Sequence, residues 1–282
     1  MRVISRRSTL GLPTLLWAAL FFFVPLGLLA LYSLGEIDIF TFEVTWGWNL
    51  DSYRRIADPL YLTPILRGVL LSIGATLMCL VVGFPVALWM SRLRGISQTL
   101  LLVAVMIPFW ASFVVRTYAL VNLLSDGGPV ADLLGAIGIG GGSPGIMYTP
   151  LAVAIGIVYS YLPLMILPLF VALERIDPSL LHASSDLGAS SLRTFRRVIL
   201  PLAAPGIIAG CVLVGIPATG EYVIPAILGG GKTLLIGNVI ADQFLDLGDY
   251  PFGSALAVTL MAVLVLVLLL VRWRLRGMEE VH

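Results

Sequence analysis

Residues 182–201 read HASSDLGASSLRTFRRVILP, and they separate two long apolar runs. Asp177 and Pro178, just upstream, form a helix start: an aspartate accepts from free N–H groups, and proline fits the first helical position. A short helix is predicted from there to about Leu187. Gly188 then supplies the left-handed residue that ends it. Ser190 or Ser191 caps a second helix, which carries Arg193, Arg196 and Arg197 and continues through Val198, Ile199, Leu200 and Pro201 into the next apolar run. Leu180, Leu181 and Leu187 are the large apolar residues of the first helix. His182, Ala183, Ser184, Ser185 and Asp186 form a low-profile surface around them. Two readings are open: an ordinary interfacial loop, or a short rigid element against which another backbone presses.

The surroundings of this hairpin set the fold class. The chain has 282 residues, 59% hydrophobic and 12% charged, where soluble domains carry about 25% charge. A soluble fold so poor in charge would expose large apolar patches. Ser8–Gly35, Gly68–Ser91, Gly95–Val115, Val198–Gly220 and Pro251–Val271 are uncharged and long enough to cross about 30 Å of hydrocarbon as helix. Leu133–Leu173 is also uncharged, but LGAIGIGGGSPG (134–145) is too rich in glycine for a helix interior, which leaves Tyr148–Leu173 as the spanning part. An all-α polytopic membrane protein with six spans is predicted, as a single domain over 1–282. The first apolar run is too long for a signal-peptide core and no small-x-small cleavage site follows it, so it is read as an uncleaved helix.

Charge distribution orients the bundle. With the N-terminus inside, Arg2, Arg6, Arg7, Arg92, Arg94, Arg175, Arg193, Arg196, Arg197, Arg272, Arg274 and Arg276 fall on the inner side, and Arg54, Arg55, Arg67, Arg116 and Lys232 on the outer. That is the positive-inside pattern. Both termini and the loop from Glu174 to Arg197 are therefore expected to be cytoplasmic. Glu36, Asp38, Glu43, Asp51, Asp58, Asp126, Asp132, Glu221, Asp242, Asp246 and Asp249 fall outside.

Catalytic chemistry finds little support. GGGKT (229–233) lacks the earlier glycine of a phosphate-binding loop, since Ala226 stands there, and it lies on the outer side with no strand before it. It is expected to form a flexible outer loop. Cys79 and Cys211 lie apart in apolar runs and are read as packing residues, and His182 and His282 have no metal-ligand spacing. The spans do contain breaks: GFPVAL (83–88), IPFW (107–110), YLPLMILP (161–168) and GIPATGEYVIP (215–225) place proline in or near apolar helix. Such breaks persist where packing or a water-lined cavity satisfies the freed backbone groups. Glu221, after 23 uncharged residues, either snorkels at the outer interface or faces an aqueous pathway. Arg116, in FVVRTYAL, is read as an outer-interface anchor paired with an acid ahead of a substrate contact. A membrane-embedded enzyme would need more ionisable groups at depth than these two, and a stand-alone channel or secondary transporter would not need the hairpin.

The hairpin spacing resembles the EAA loop of ABC-importer permeases, E-A-A-x3-G-x9-I-x-L-P. His182, Ala183 and Ser184 take the first three places, Gly188 the glycine, Val198 the isoleucine, and Leu200-Pro201 the ending. FVVRTYAL, PLAAPGIIAG, GEYVIPAILGG, LLIGNVI and DYPFGSALA resemble the spermidine/putrescine branch of that family, a likeness running from about Leu66 to Arg274. The resemblance implies a type I importer permease of the bacterial inner membrane, forming half of a pathway with a second permease. It also implies two copies of a cytoplasmic ATP-binding cassette subunit and a periplasmic binding protein, with lipid around the bundle and no nucleic acid. ATP and magnesium belong to the ATPase, and no cofactor is expected in this chain. The coupling loop would span 174–200, with His182, Ala183, Ser184, Asp186, Gly188, Arg193, Leu200 and Pro201 as its residues. Glu221, Tyr222, Arg116 and Tyr118 are the candidates for the substrate pathway. The polyamine reading rests mainly on the branch likeness, and related branches carry opines, amino-acid-like compounds and phosphonates. His182 departs from the pattern, standing where glutamate is usual.

Overall fold

The computed structural model describes residues 4–38, 44–125, 127–136 and 146–279. Arg2, Glu43, Asp126, His282 and most of the glycine-rich stretch lie outside them. In chain order the elements are α1 (Ile4–Tyr32), β1 (Glu36–Ile37), β2 (Val44–Thr45), α2 (Asp51–Ile56), α3 (Pro59–Ser91), α4 (Ile96–Trp110), α5 (Phe113–Leu124) and α6 (Pro129–Ala136). They continue with α7 (Pro150–Glu174), α8 (Pro178–Asp186), α9 (Ser191–Thr194), a π turn (Phe195–Ile199), α10 (Leu200–Thr219), α11 (Val223–Leu228), α12 (Ile236–Leu245) and α13 (Tyr250–Glu279).

Among the described residues, five helices are long and apolar enough to span a bilayer: Pro13–Tyr32, Pro59–Ser91, Pro150–Glu174, Ser191–Thr219 and Tyr250–Trp273. The sixth span departs from expectation. Instead of one helix over Gly95–Val115, α4 and α5 meet at a 94° bend, because Ala111 and Ser112 adopt extended backbone. Pro108 lies at the same place, and it cannot donate to the helical ladder.

The chain divides into two compact units, residues 1–62 with 239–269 and residues 63–238 with 270–282. The core of the larger unit is α7 packed on α10. Small residues allow the close approach: a Cβ on Gly206 would stand 2.5 Å from Ala172 and 2.6 Å from the Pro168 carbonyl, and one on Gly210 would stand 2.6 Å from the Met165 sulfur. Around this pair, Phe84, Met90, Leu169, Phe170, Leu173 and Ile199 form one buried cluster, which Leu181 and Phe195 of the hairpin join. Leu120, Leu124, Val153, Ile157, Ile224, Leu228 and Leu235 form a second.

The second cluster borders GGGKT, a loop whose Gly230, Gly231 and Lys232 are exposed. Gly229, Thr233 and Leu235–Val239 are buried, and the Lys232 N–H returns to the Gly229 carbonyl at 3.0 Å. Gly230 has φ +54° and lies against the Tyr148 ring, where a Cβ would collide at 2.2 Å. Gly229 and Gly230 therefore permit tight packing, whereas Gly231 has open space around it.

In the smaller unit, an antiparallel ribbon pairs Glu36 with Thr45 and Ile37 with Val44, a small β element in an otherwise helical chain. The Ser33 and Tyr53 hydroxyls are 2.7 Å apart. Arg55 donates to Asp249 and to the Tyr61 hydroxyl, both at 2.8 Å, and lies over the Phe252 ring at 4.2 Å. The other Asp249 oxygen accepts from the Phe252 N–H, so one carboxylate caps α13 and holds α2 to it.

Candidate functional site: a two-helix hairpin and a buried carboxylate

The hairpin folds as its residues dictate. Asp177 is the N-cap of α8, its side chain accepting from the Ser179 N–H at 2.8 Å, and Pro178 occupies the first turn. Hydrogen bonds from the Ser179 backbone, and then from its side chain, hold the Asp177 carboxyl below the usual carboxylate range. At the other end Gly188 has φ +74°, and the amides of Leu187, Gly188 and Ala189 return to Ala183, Ser185 and Ser184. Ser190 begins the second arm with its backbone alone, making no side-chain cap.

Two contacts that the residue pattern did not announce fix the hairpin, one hydrogen bond and one pair of rings. The Ser184 and Thr194 hydroxyls lie 2.8 Å apart, joining the arms. Phe195 meets Phe84 edge-on with ring centroids at 5.6 Å, seating the second arm on α3. Leu181 turns inward, whereas Leu180 and Leu187 are exposed, as are His182, Ala183, Asp186, Arg193, Leu200 and Pro201. Ser184 is half-buried.

Between this arm and α10 the ladder widens into a π turn, in which the Leu200 N–H reaches the Phe195 carbonyl. Pro201 is the local cause. It has no N–H to return to Arg197, and its ring crowds that carbonyl. One wide turn absorbs the mismatch without breaking the axis, and Ser191–Thr219 remains a single span.

The second site surrounds the break after α10. Glu221 is 6% exposed. One carboxylate oxygen accepts from the Tyr161 hydroxyl at 2.5 Å, and the other from the N–H groups of Val223 and Ile224 at 2.9 and 3.3 Å. The carboxylate thus starts α11 and ties it to the middle of α7. Arg116 is also buried, and Phe113, which its guanidinium faces, has its ring centre 6.5 Å from that of Tyr161. No described acid lies within ion-pair distance of Arg116, contrary to the expected partnership. Its guanidinium instead lies 5.3 Å from the Phe109 ring centre and 5.6 Å from that of Phe113, with Nε unpaired.

Glu221 thus meets Tyr161 directly, and Arg116 is linked to Tyr161 through their shared neighbour Phe113. Tyr118 and Tyr222 are about half exposed, and the Tyr222 carbonyl accepts from the Asn238 amide. Tyr161 is the residue that sequence reasoning missed. Its only prior signal was a hydroxyl two residues before Pro163 in a broken apolar run.

With these elements in place, the likeness to known proteins is specific. Residues 79–278, which contain both sites, match the family described as the binding-protein-dependent transport system inner membrane component. The chain belongs to this family. The permease is 44% identical to the spermidine/putrescine transport system permease protein PotB of Escherichia coli K12 over 258 residues, covering 92% of this chain and 93% of that one. PotB of Haemophilus influenzae is 38% identical, covering 95% of both chains. The inner membrane ABC transporter permease YdcU of Escherichia coli is 33% identical, covering 91% of this chain and 85% of that one. Among solved structures, a chain of a bacterial alginate ABC transporter superposes with a TM-score of 0.70 at 17% identity, covering 94% of this chain and 92% of that one. The permease is thus a multi-pass inner-membrane transport subunit with the fold of ABC-importer permeases.

Proposed function

We propose that the permease forms half of the translocation pathway of an ATP-driven polyamine importer, conducting putrescine or spermidine delivered by a periplasmic binding protein. The observation that carries this reading is the 44% identity to PotB across nearly the whole of both chains. A second permease completes the pathway, and two copies of a cytoplasmic ATPase supply ATP and magnesium chemistry. The termini and the α8–α9 hairpin face the cytoplasm, as the arginine distribution requires. The hairpin is the coupling element, with α8 presented to the ATPase and the second arm continuous with the span of α10.

The eleven acids against five bases of the outer segments suit a linear polycation, because opposite charge raises its local concentration. Glu221 contributes by shape as well as charge. It fixes α11 and Tyr161 in the wall of the bundle, so the outer half of the pathway has a defined lining when the cation arrives.

The test is uptake of labelled spermidine by proteoliposomes that contain the assembled complex, with binding protein inside or outside as required by orientation. Uptake should need ATP and stop when the ATPase is inactivated. Uptake by the isolated chain without ATP, or competition by opines and phosphonates but not by putrescine, would refute the proposal.

A further inference from the structure

The α8–α9 hairpin does not present its surface alone. A cleft of about 420 Å³ opens between α8 and the turn that links α3 to α4. Its apolar floor includes Leu173 and Ile199, and its polar wall carries Arg92 and Arg94 from the turn, with His182 and Ser185 from α8. No acid lines it among the described residues. Of the nearby carboxylates, Glu174 accepts from Gln98 at 3.0 Å, Asp177 caps α8, and Asp186 is exposed on α8 outside the cleft lining. The cleft is therefore a cationic recess, with the motif position at 182 on its edge.

We infer that this recess receives an aspartate- or glutamate-bearing segment of the ATPase subunit, so that residue 182 and the α3–α4 turn together form a receptor whose charge sign is opposite to that of a glutamate at 182. This inference rests on the hairpin being the ATPase-docking element. Where the family pattern has a carboxylate at 182, this chain has an imidazole facing the same recess as two guanidinium groups. A partner carboxylate gains from all three donors. A partner arginine would be repelled by the two guanidinium groups, and such like-charge juxtaposition is a specificity device.

A protein occupant fits this surface better than anionic lipid. A helix that lies in a membrane surface needs a broad apolar face flanked by Lys or Arg. On α8 there is no Lys or Arg, Leu181 is turned into the protein core, and Asp186 is exposed. The small exposed residues Ala183 and Ser185 permit the close backbone approach of another chain.

The experiment uses the full complex, captured through a tag on the ATPase, with retention of the permease measured from low to high salt. The Arg92→Glu/Arg94→Glu pair should weaken retention about tenfold at physiological salt, and the wild-type interaction should weaken as salt rises. His182→Glu, which restores the family residue, should also weaken it, because the recess then holds its own carboxylate. Gly188→Val serves as the comparison. If Gly188→Val releases the ATPase while the arginine pair and His182→Glu leave retention unchanged or tighter, the acidic-partner inference fails and the docking assignment stands. If Gly188→Val also leaves docking intact, the docking assignment itself fails. Nanodiscs of phosphatidylcholine, with or without phosphatidylglycerol, separate the lipid source. A wild-type advantage over the arginine pair that disappears without anionic lipid would overturn the inference. Cysteine cross-linking from position 94 to the ATPase supplies an independent reading, and a cross-link from 182 but never from 94 would also count against it.

Discussion

At the residue scale, Glu221 shows how a carboxylate survives at 6% exposure. Its oxygens are satisfied by one hydroxyl and two backbone amides, all neutral donors, and under the proposed function its carboxylate charge would lie beside the path of the cation. Glu221→Gln keeps an acceptor for the Val223 N–H but removes that charge. We expect spermidine uptake to fall about tenfold with assembly intact, since one pKa-scale electrostatic step is a factor of ten; unchanged uptake kinetics would remove Glu221 from transport. Tyr161→Phe leaves the charge and strips one of its donors. Removing a partner from a buried acceptor costs about 1–3 kcal/mol, more for a charged one, so thermal stability should drop further in Tyr161→Phe than in Glu221→Gln. Glu221 was legible in the sequence because a lone charge amid apolar residues stands out. Tyr161 was not, because its partner lies 60 positions away and a tyrosine in an apolar run fits packing equally well. The expected acid for Arg116 failed for a related reason: aromatic rings 109 and 113 satisfy the cation through their faces, a contact that charge counting does not detect.

At the scale of elements, two glycines make opposite demands. Gly188 has open space around its Cβ position and φ +74°, so only the backbone conformation constrains it. Gly188→Val should destabilise the hairpin by about 1–2 kcal/mol, the left-handed penalty, and weaken ATPase retention. Gly188→Asn should be close to neutral, because asparagine tolerates that conformation. Equal losses in both variants would show that the conformation is not what matters. Gly206 is the reverse, with ordinary backbone and no space. Gly206→Ala should cost about 1–3 kcal/mol by overpacking, read as a lower melting temperature of the purified complex. The hairpin also carries an acid limit. The lowered Asp177 pKa means that its cap is complete above the ordinary carboxylate range, about 3.9, and is lost only as pH falls through the depressed value. Hydrogen-exchange protection of α8 should therefore hold at pH 5 and fade in stronger acid. The hairpin was readable in advance because capping, glycine and proline signals are local. The bend at 111–112 and the burial of Gly229 and Thr233 at the ends of GGGKT were not, since both are decided by which distant helices α5 and α11 pack against.

For the whole molecule, apolar run length was enough to anticipate five spanning helices, because lipid imposes a simple length rule; the sixth apolar segment bends instead. The division into two compact units was not visible, as no linker marks it. Coupled transport is the property to measure at this scale: complexes with an inactive ATPase should bind the loaded receptor yet show no uptake above liposomes without protein. One feature sets the mechanical scale of that coupling. The helix Ser191–Thr219 is 29 residues long and unbroken by its π turn, about 43 Å at 1.5 Å per residue. It behaves as a beam with the hairpin at one end and the Gly220–Glu221 break at the other. A tilt of about 5° around its midpoint moves each end about 2 Å in opposite directions, which is enough to part a hydrogen bond such as that between Tyr161 and Glu221. If the hairpin docks as proposed, a small movement of it would suffice to unfasten the far end, without any helix in between having to melt.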